Sequence, residues 1–296
     1  MKLSTCPLER RSSYCQPAHP PWNIDALLAS PFFASLSPAL ATLPRDHFPT
    51  HDDLNELSRA RGIVTLGGAP IRFVAPPAPS NTFEDQYEVR IHGEGAVATR
   101  PDNWHDLFNA LVWLSFPRTK GVLNAHHVRE LEARPDQART TGRRGTARDV
   151  LTLFDEGGVI VASADRSLAE LLVGFRWKAL FWDRRADVIA RMRFRVFGHA
   201  IHEKALAPFK GVTAKALILP VDEALFALPI EREIATLDAL AAAHFADPAS
   251  LAATTSLAPL PVLGIPRWTP ENADPAYYDD ADHFRTGRRR DRASPE

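Results

Sequence analysis

Imidazole, carboxylate and cationic side chains recur in three stretches of this chain at spacings that could bring them together. In NWHDLFNALVWLSF, residues 103–116, a step of about 100° per residue puts His105, Asp106 and Asn109 in one arc with Trp113 and Phe116. Leu107, Leu111 and Leu114 lie opposite. An exposed helix face normally carries Lys, Glu and Arg, so a stripe of His, Asp and Asn among aromatic rings reads as buried or cleft-lining, where polar groups need partners. A second helix over 119–133 places Lys120, Asn124, His127 and Leu131 in one arc and turns His126 away, which makes His127 the stronger candidate of that pair.

The third stretch, HAIHEKAL, follows a strand-like RFRVFG and begins a helix directly after Gly198. His199 and Glu203 are four residues apart on one face, with His202 nearby. Such a pair can share a metal ion, act as an acid–base pair or simply hydrogen-bond. No HExxH or CxxC pattern accompanies it. The first turn of the helix, near Lys204, offers unpaired N–H groups as an anion seat.

Between the second and third stretches, DVLTLFDEGGVIVA (149–162) reads as a β-hairpin turning at Glu156, Gly157 and Gly158. Turn chemistry then accounts for Asp155 and Glu156, and Asp149 beside Arg148 is either a ligand or a salt-bridge partner. If the hairpin packs beside the striped helix, Asp149 or Asp155 joins His105, His127 and His199 in a mixed nitrogen and oxygen site suited to a divalent transition metal. Nucleophilic and nucleotide-loop chemistries are less attractive, because GxSxG, GxxxxGK[ST] and GxGxxG are all missing. Cys6 and Cys15 both lie in a Pro-rich leader, so cysteine builds neither a disulfide framework nor a four-ligand zinc site.

The elements expected to position these groups start with a helix from Asp52 to Arg61, capped by Asp52 or His51, and strand-like IVTL and IRFVAP around Gly67 and Gly68. YEVRIHGEGAVATR reads as a hairpin bending at Gly93 and Gly95, and Pro117 stops the apolar helix. A basic linker, RPDQARTTGRRGTA, leads to the 149–162 hairpin. Helical patterns follow from Ser167 to Val173 and through RWKALFWDRRADVIARM, where Trp177 and Trp182 suit a core with a basic rim or, alternatively, base stacking. The economical architecture is a single α+β domain over 22–288, in which antiparallel hairpins pack against the buried apolar helix and further helices, with a flexible leader at 1–21 and a tail at 289–296.

The 296 residues are 45% hydrophobic and 24% charged, as in an ordinary globular protein with a sizeable core. A signal-peptide pattern and any run of about 18 apolar residues are missing, so no membrane association is expected and the cytoplasm is the expected address. The net charge of −1 hides a gradient: −3 over residues 1–117, +8 over 118–215 and −6 over 216–296. The basic middle suits an anionic substrate or partner, or it pairs with the acidic ends within the fold.

Several phrases together resemble a bacterial family known as domain of unknown function 3025. They are YEVRI, TRPDNWHDLFNALVWLSFPRTKGVLNAHH, RDVLTLFDEGG, WKALFWDRR, FGHAIHEKALAPFKGVTAKAL and PLPVLGIPRW followed by YYDD. The resemblance runs from about residue 22 to 288 and implies one continuous domain in a bacterial cytoplasmic protein. It also implies that Asn103, Trp104, His105, Asp106, Asn124, His127, Arg148, Asp149, Asp155, Glu156, His199, Glu203 and Lys204 belong to the family pattern, whereas His126 and His202 do not. No activity comes with it.

The functional expectation is metal-assisted or general acid–base hydrolysis of an anionic substrate, phosphorylated or nucleic acid. His105 and His127 serve as ligand or base, Asp106 lines the site, Asp149 and Asp155 are ligands or orienters, and His199 with Glu203 form an acid–base pair or ligands. Arg118, Asn124, Arg148 and Lys204 hold the substrate. The alternative is a non-catalytic binder of nucleic acid or another polyanion, whose buried His and Asp groups are structural.

Overall fold

The computed structural model describes residues 20–78, 82–83, 86–133 and 146–287. Nearly all of the leader with both cysteines, most of the basic linker and the tail lie outside the described residues.

The chain opens with α1 (Ile24–Ala29), a 3-10 turn, α2 (Ser37–Leu40) and α3 (His51–Arg61). Thr50, not His51 or Asp52, caps α3: its hydroxyl accepts from the Asp53 N–H while the Asp53 carboxylate accepts from the Thr50 N–H. Of the two expected strands only β1 (Arg72–Val74) forms, and Val64 makes a single bridge to Pro70. β1 pairs in parallel with β2 (Ala96–Ala98), and YEVRIHGE between them is a helix, α4 (Tyr87–Glu94), rather than a hairpin arm. Gly95 is the reason: at φ 69° it is a left-handed helix cap, and a Cβ there would lie 2.0 Å from the Pro70 carbonyl oxygen.

The apolar stripe forms α5 (Trp104–Ser115), and Pro117 opens α6 (Pro117–Glu132) at its first position. α7 (Thr146–Gly157) runs directly into β3 (Gly158–Ser163). Then come α8 (Arg166–Val173), a π-helical turn at Ala179–Asp183, α9 (Arg185–Arg191), β4 (Met192–Val196) and α10 (His199–Lys204). β5 (Thr213–Pro220), α11 (Ile230–Ala246) and β6 (Ala258–Pro261) complete the body.

The expected 149–162 hairpin is therefore half helix. Val150, Leu151 and Phe154 are all fully buried, at i, i+1 and i+4, which is the inward face of a helix and not an alternating strand. The paired glycines mark a helix-to-strand junction with no loop: a Cβ on Gly158 would meet the Phe154 carbonyl oxygen at 2.4 Å. Its second half is a strand as expected. β3 sits inside a mixed sheet of order β4-β3-β5-β6, antiparallel to β4 and parallel to β5, and all six of its residues are buried. A continuous apolar run such as VIVA is what a strand covered on both faces requires.

One hydrophobic core extends from Ile24 to Phe284, so the fold is a single α+β domain. Trp177 belongs to that core: it is 4% exposed, stacks on Phe181 and donates its indole N–H to the Arg285 carbonyl, which leaves no face for base stacking. Asp238 of α11 accepts the first free N–H groups of α6, from Arg118 at 3.0 Å and Thr119 at 2.8 Å, locking the two helices together. No helix among the described residues is long and apolar enough to cross a membrane.

Candidate functional site

α10 is short, but its position is fixed by backbone. The N–H groups of Phe197 and Gly198 both donate to the Gly158 carbonyl, at 2.9 and 2.8 Å. Gly198 lies so close to the α7–β3 junction that a Cβ would meet the Glu156 carbonyl oxygen at 2.4 Å. Only glycine permits this approach, and it sets His199 against Asp155 and Glu156 at the end of α7. The Nδ1 of His199 lies 3.8 Å from Asp155 Oδ2 and its Nε2 lies 3.6 Å from Glu156 Oε2. His199 is 5% exposed, and its buried Nδ1 has no hydrogen-bond partner.

α5 packs against α10 and supplies the second imidazole. The His105 and His199 ring centroids are 4.5 Å apart, edge to face. His105 Nδ1 is 2.8 Å from Glu203 Oε2. The i, i+4 pair of α10 thus does not close on itself: Glu203 reaches past His199 to the imidazole of another helix.

α6 contributes a buried cation. Lys120 Nζ donates to Asp155 Oδ1 at 2.6 Å and to Asn109 Oδ1 at 2.9 Å, and Asn109 Nδ2 donates to the Tyr87 hydroxyl at 2.8 Å. Asp155, Lys120, Asn109 and Tyr87 therefore form one continuous polar chain linking α7, α6, α5 and α4. Asp106 accepts two bonds from the Arg100 guanidinium, both at 2.8 Å, while Asn103 caps α5. Asn124 donates to the Glu88 carboxylate at 2.7 Å.

These groups surround a cleft of about 390 Å³ lined by Tyr87, Glu88, Ala98, Arg100, His105, Asp106, Asn109, His127, Arg148, Thr152, Asp155, Glu156 and His199. Burial lowers the pKa of His199, against the opposing pull of Asp155, and burial likewise lowers that of His127. Burial alone would raise the Asp155 pKa, but the adjacent Lys120 ammonium outweighs it and the carboxyl ends below its usual range. Asp106 follows the same pattern, with Arg100 overcoming burial. Burial raises the Tyr87 pKa.

Among the described residues, His105, His199 and Glu156 can offer ligand atoms that all lie within 4.8 Å of one another. His127 lines the same cleft outside that group, and Asp155 has one oxygen committed to Lys120. Four expected members fall elsewhere. Asp149 misses the cleft because α7 is a helix: Arg148, Thr152 and Asp155 follow one face at i, i+4 and i+7, and Asp149 points about 120° away from Asp155. Strand alternation would have set the two acids on one side. Arg118 is exposed beside a separate groove with Pro38 and Arg61, and Lys204 is exposed at the end of α10. The six residues of α10 make its first turn a poor anion seat, and the buried His199 occupies it. Asn124 holds Glu88 without lining the cleft.

The sequence points to neither Arg100 nor Tyr87, places Lys120 in the arc of His127 without a role, and leaves Glu156 to turn chemistry. The spacing of Arg148, Thr152 and Asp155 was the available signal for Glu156 and its neighbours, once 149–156 is taken as helix. Arg100 and Tyr87 reach the cleft through the turn before α5 and through α4, for which no local pattern exists.

A family model described as a protein of unknown function, DUF3025, matches residues 71–288, which hold every residue of the cleft. No curated protein and no solved structure matches the chain. The matched segment covers well over half of the sequence, and the chain belongs to the DUF3025 family.

Proposed function

We propose that this protein is a hydrolase that uses the His105–His199 centre to activate water against a small anionic substrate held in the cleft. The observation that carries the reading is the pair of imidazoles, 4.5 Å apart, each with a carboxylate on its Nδ1 side: Glu203 at 2.8 Å from His105 and Asp155 at 3.8 Å from His199. A carboxylate there orients the ring and raises the basicity of the opposite nitrogen, which is what a water-activating base requires. In this reading the two-imidazole centre activates the water that attacks the scissile centre, and the proton that water loses ends on the leaving group. Arg148 and Thr152, one helical turn apart on the α7 face, meet the substrate's oxyanion.

The polyanion-binding alternative fits the cleft less well. Five carboxylates, those of Glu88, Asp106, Asp155, Glu156 and Glu203, stand there against the three cations Arg100, Lys120 and Arg148. Arg100 is engaged by Asp106 and Lys120 by Asp155, which leaves Arg148 to meet one anionic group rather than a row of backbone phosphates. Chromogenic phosphate monoesters and carboxylic esters, incubated with the wild-type chain and with His199→Ala, test the reading. Hydrolysis by the wild type that His199→Ala abolishes supports it. Turnover equal in both would overturn the role of His199, and no turnover together with salt-sensitive nucleic-acid binding would replace the reading with the binding role.

A further inference from the structure

We propose that His105, His199 and Glu156 bind one divalent transition-metal ion through two imidazole nitrogens and one carboxylate oxygen, with the remaining coordination positions open to the cleft. The donor atoms come from three elements, α5, α10 and the end of α7, and lie within 4.8 Å of one another. Glu203 occupies Nδ1 of His105, so Nε2 is the nitrogen left to donate. His199 turns Nε2 toward Glu156 Oε2 at 3.6 Å, and two ligands on one ion stand about 3 to 3.4 Å apart for bonds near 2.1 Å. Glu156, with 48% of its side chain exposed, can close that gap by rotating alone.

Two further observations point to a cation at this place. The His199 ring is 5% exposed and no hydrogen bond among the described residues holds it: Nδ1 is without a partner 3.8 Å from Asp155 and Nε2 stands 3.6 Å from Glu156, a costly arrangement that an ion on Nε2 would relieve by fixing the ring with Nδ1–H toward Asp155. Among the described residues the cleft also carries five carboxylates against three cations, and a dication offsets that excess. Two nitrogens and one oxygen select zinc, iron(II), cobalt(II) or manganese(II) over calcium and magnesium, which prefer oxygen alone. Glu203 and Asp155 then stand behind the ligand imidazoles as outer carboxylates, the position that fixes ring orientation in metal centres.

As the water-activating group of the cleft, the ion rests on the hydrolytic reading above; as a binding site it rests on donor geometry alone. Chelator-treated full-length protein titrated with zinc, and separately with cobalt(II) while its visible absorption is followed, tests it. The expected result is one ion per chain, with affinity falling by about 100-fold or more in His199→Ala and in Glu156→Gln. Because Glu156 is half exposed, its replacement leaves the fold intact, and Lys204→Ala serves as a control that binds as the wild type does. Absence of binding by the wild type, or undiminished binding in both variants, overturns the site. Hydrolysis that survives chelation without loss overturns the ion's role as the water-activating group while leaving the hydrolase reading standing, whereas stoichiometric binding with no hydrolysis of any ester upholds the site and overturns the hydrolase reading.

Discussion

His105 and Glu203 are 98 positions apart in the chain and 2.8 Å apart in the fold, Nδ1 to Oε2. Their contact joins α5 to α10 and fixes which imidazole nitrogen faces the cleft. Glu203→Gln keeps an oxygen able to accept and removes the negative charge, so the ring stays in place while its basicity falls. The expected consequence is a zinc affinity about tenfold to 100-fold weaker with an unchanged unfolding temperature. A Glu203→Gln protein that binds zinc as tightly as wild type would reduce the contact to packing.

Lys120 and Asp155 are a buried pair whose side chains are 7% and 22% exposed. Removing one partner strands the other charge in a poorly solvated place, so Lys120→Met should destabilise the protein by about 3–5 kcal/mol in urea unfolding. Lys120→Met combined with Asp155→Leu should recover much of that loss, because neither charge remains to be desolvated. Additive losses in the double variant would mean that the pair contributes through packing and not through charge.

How much of this was legible in the chain depends on what each pattern measured. The buried stripe of α5 and the face of α6 came through because each is a long helix whose period is sampled over three or more turns. α4 and the first half of the 149–162 segment did not, because both end at glycines, and a glycine that ends a helix is the same letter as one that turns a hairpin. That single ambiguity moved Asp149 into the expected site and left Glu156 out of the ligand set. His105, His127 and His199 could be named as candidates, but their neighbours could not: Glu203 meeting His105 rather than His199 is set by how α10 packs on α5, a tertiary fact with no local signature.

Two glycines give opposite predictions. At Gly198 a Cβ would press on the Glu156 backbone at 2.4 Å, and backbone cannot yield as a side-chain tip can. Gly198→Ala should cost about 1–3 kcal/mol and shift His199 from its place, weakening zinc binding as well. At Gly93, inside α4, a Cβ meets nothing within 4 Å, so Gly93→Ala should stabilise by about 0.5–1 kcal/mol. Thermal unfolding of both variants beside wild type distinguishes them; a neutral Gly198→Ala would show that the α10 junction tolerates rearrangement.

Arg148 is the cation of α7 that lines the cleft, whereas Arg118 and Lys204 are exposed outside it. Inorganic phosphate, used as a probe of the oxyanion position in the zinc-loaded protein, should bind Arg148→Ala about tenfold or more weakly than wild type, since a charge-assisted hydrogen bond is lost. Arg118→Ala and Lys204→Ala should match wild type. Calorimetry in which Arg118→Ala weakens phosphate binding and Arg148→Ala leaves it unchanged would move the anion site to the Arg61–Arg118 groove.

His202 supplies an acid-sensitive element in the core. It is fully buried, its ring lies 5.7 Å from that of Phe33 and 5.5 Å from that of Phe108, and burial pushes its pKa down to about 3. In the unfolded chain the same imidazole titrates near its ordinary value of about 6.5. Above that pH neither state holds the proton and the group leaves stability unchanged. As pH falls from about 6.5 toward 3 the unfolded chain gains a proton that the folded one refuses, so stability declines by up to about 1.4 kcal/mol per pH unit from this residue. His199 and His127, lowered in the same direction, add to the slope. The interval from pH 7 to pH 5 isolates imidazoles, because most carboxyls titrate lower. In urea unfolding over that interval His202→Leu should lose less stability than wild type, although its stability at pH 7 is reduced by the imperfect fit of leucine between the two rings. Parallel losses in the two proteins would mean that His202 takes up its proton without leaving the core, and the acid sensitivity would then belong to the cleft imidazoles alone.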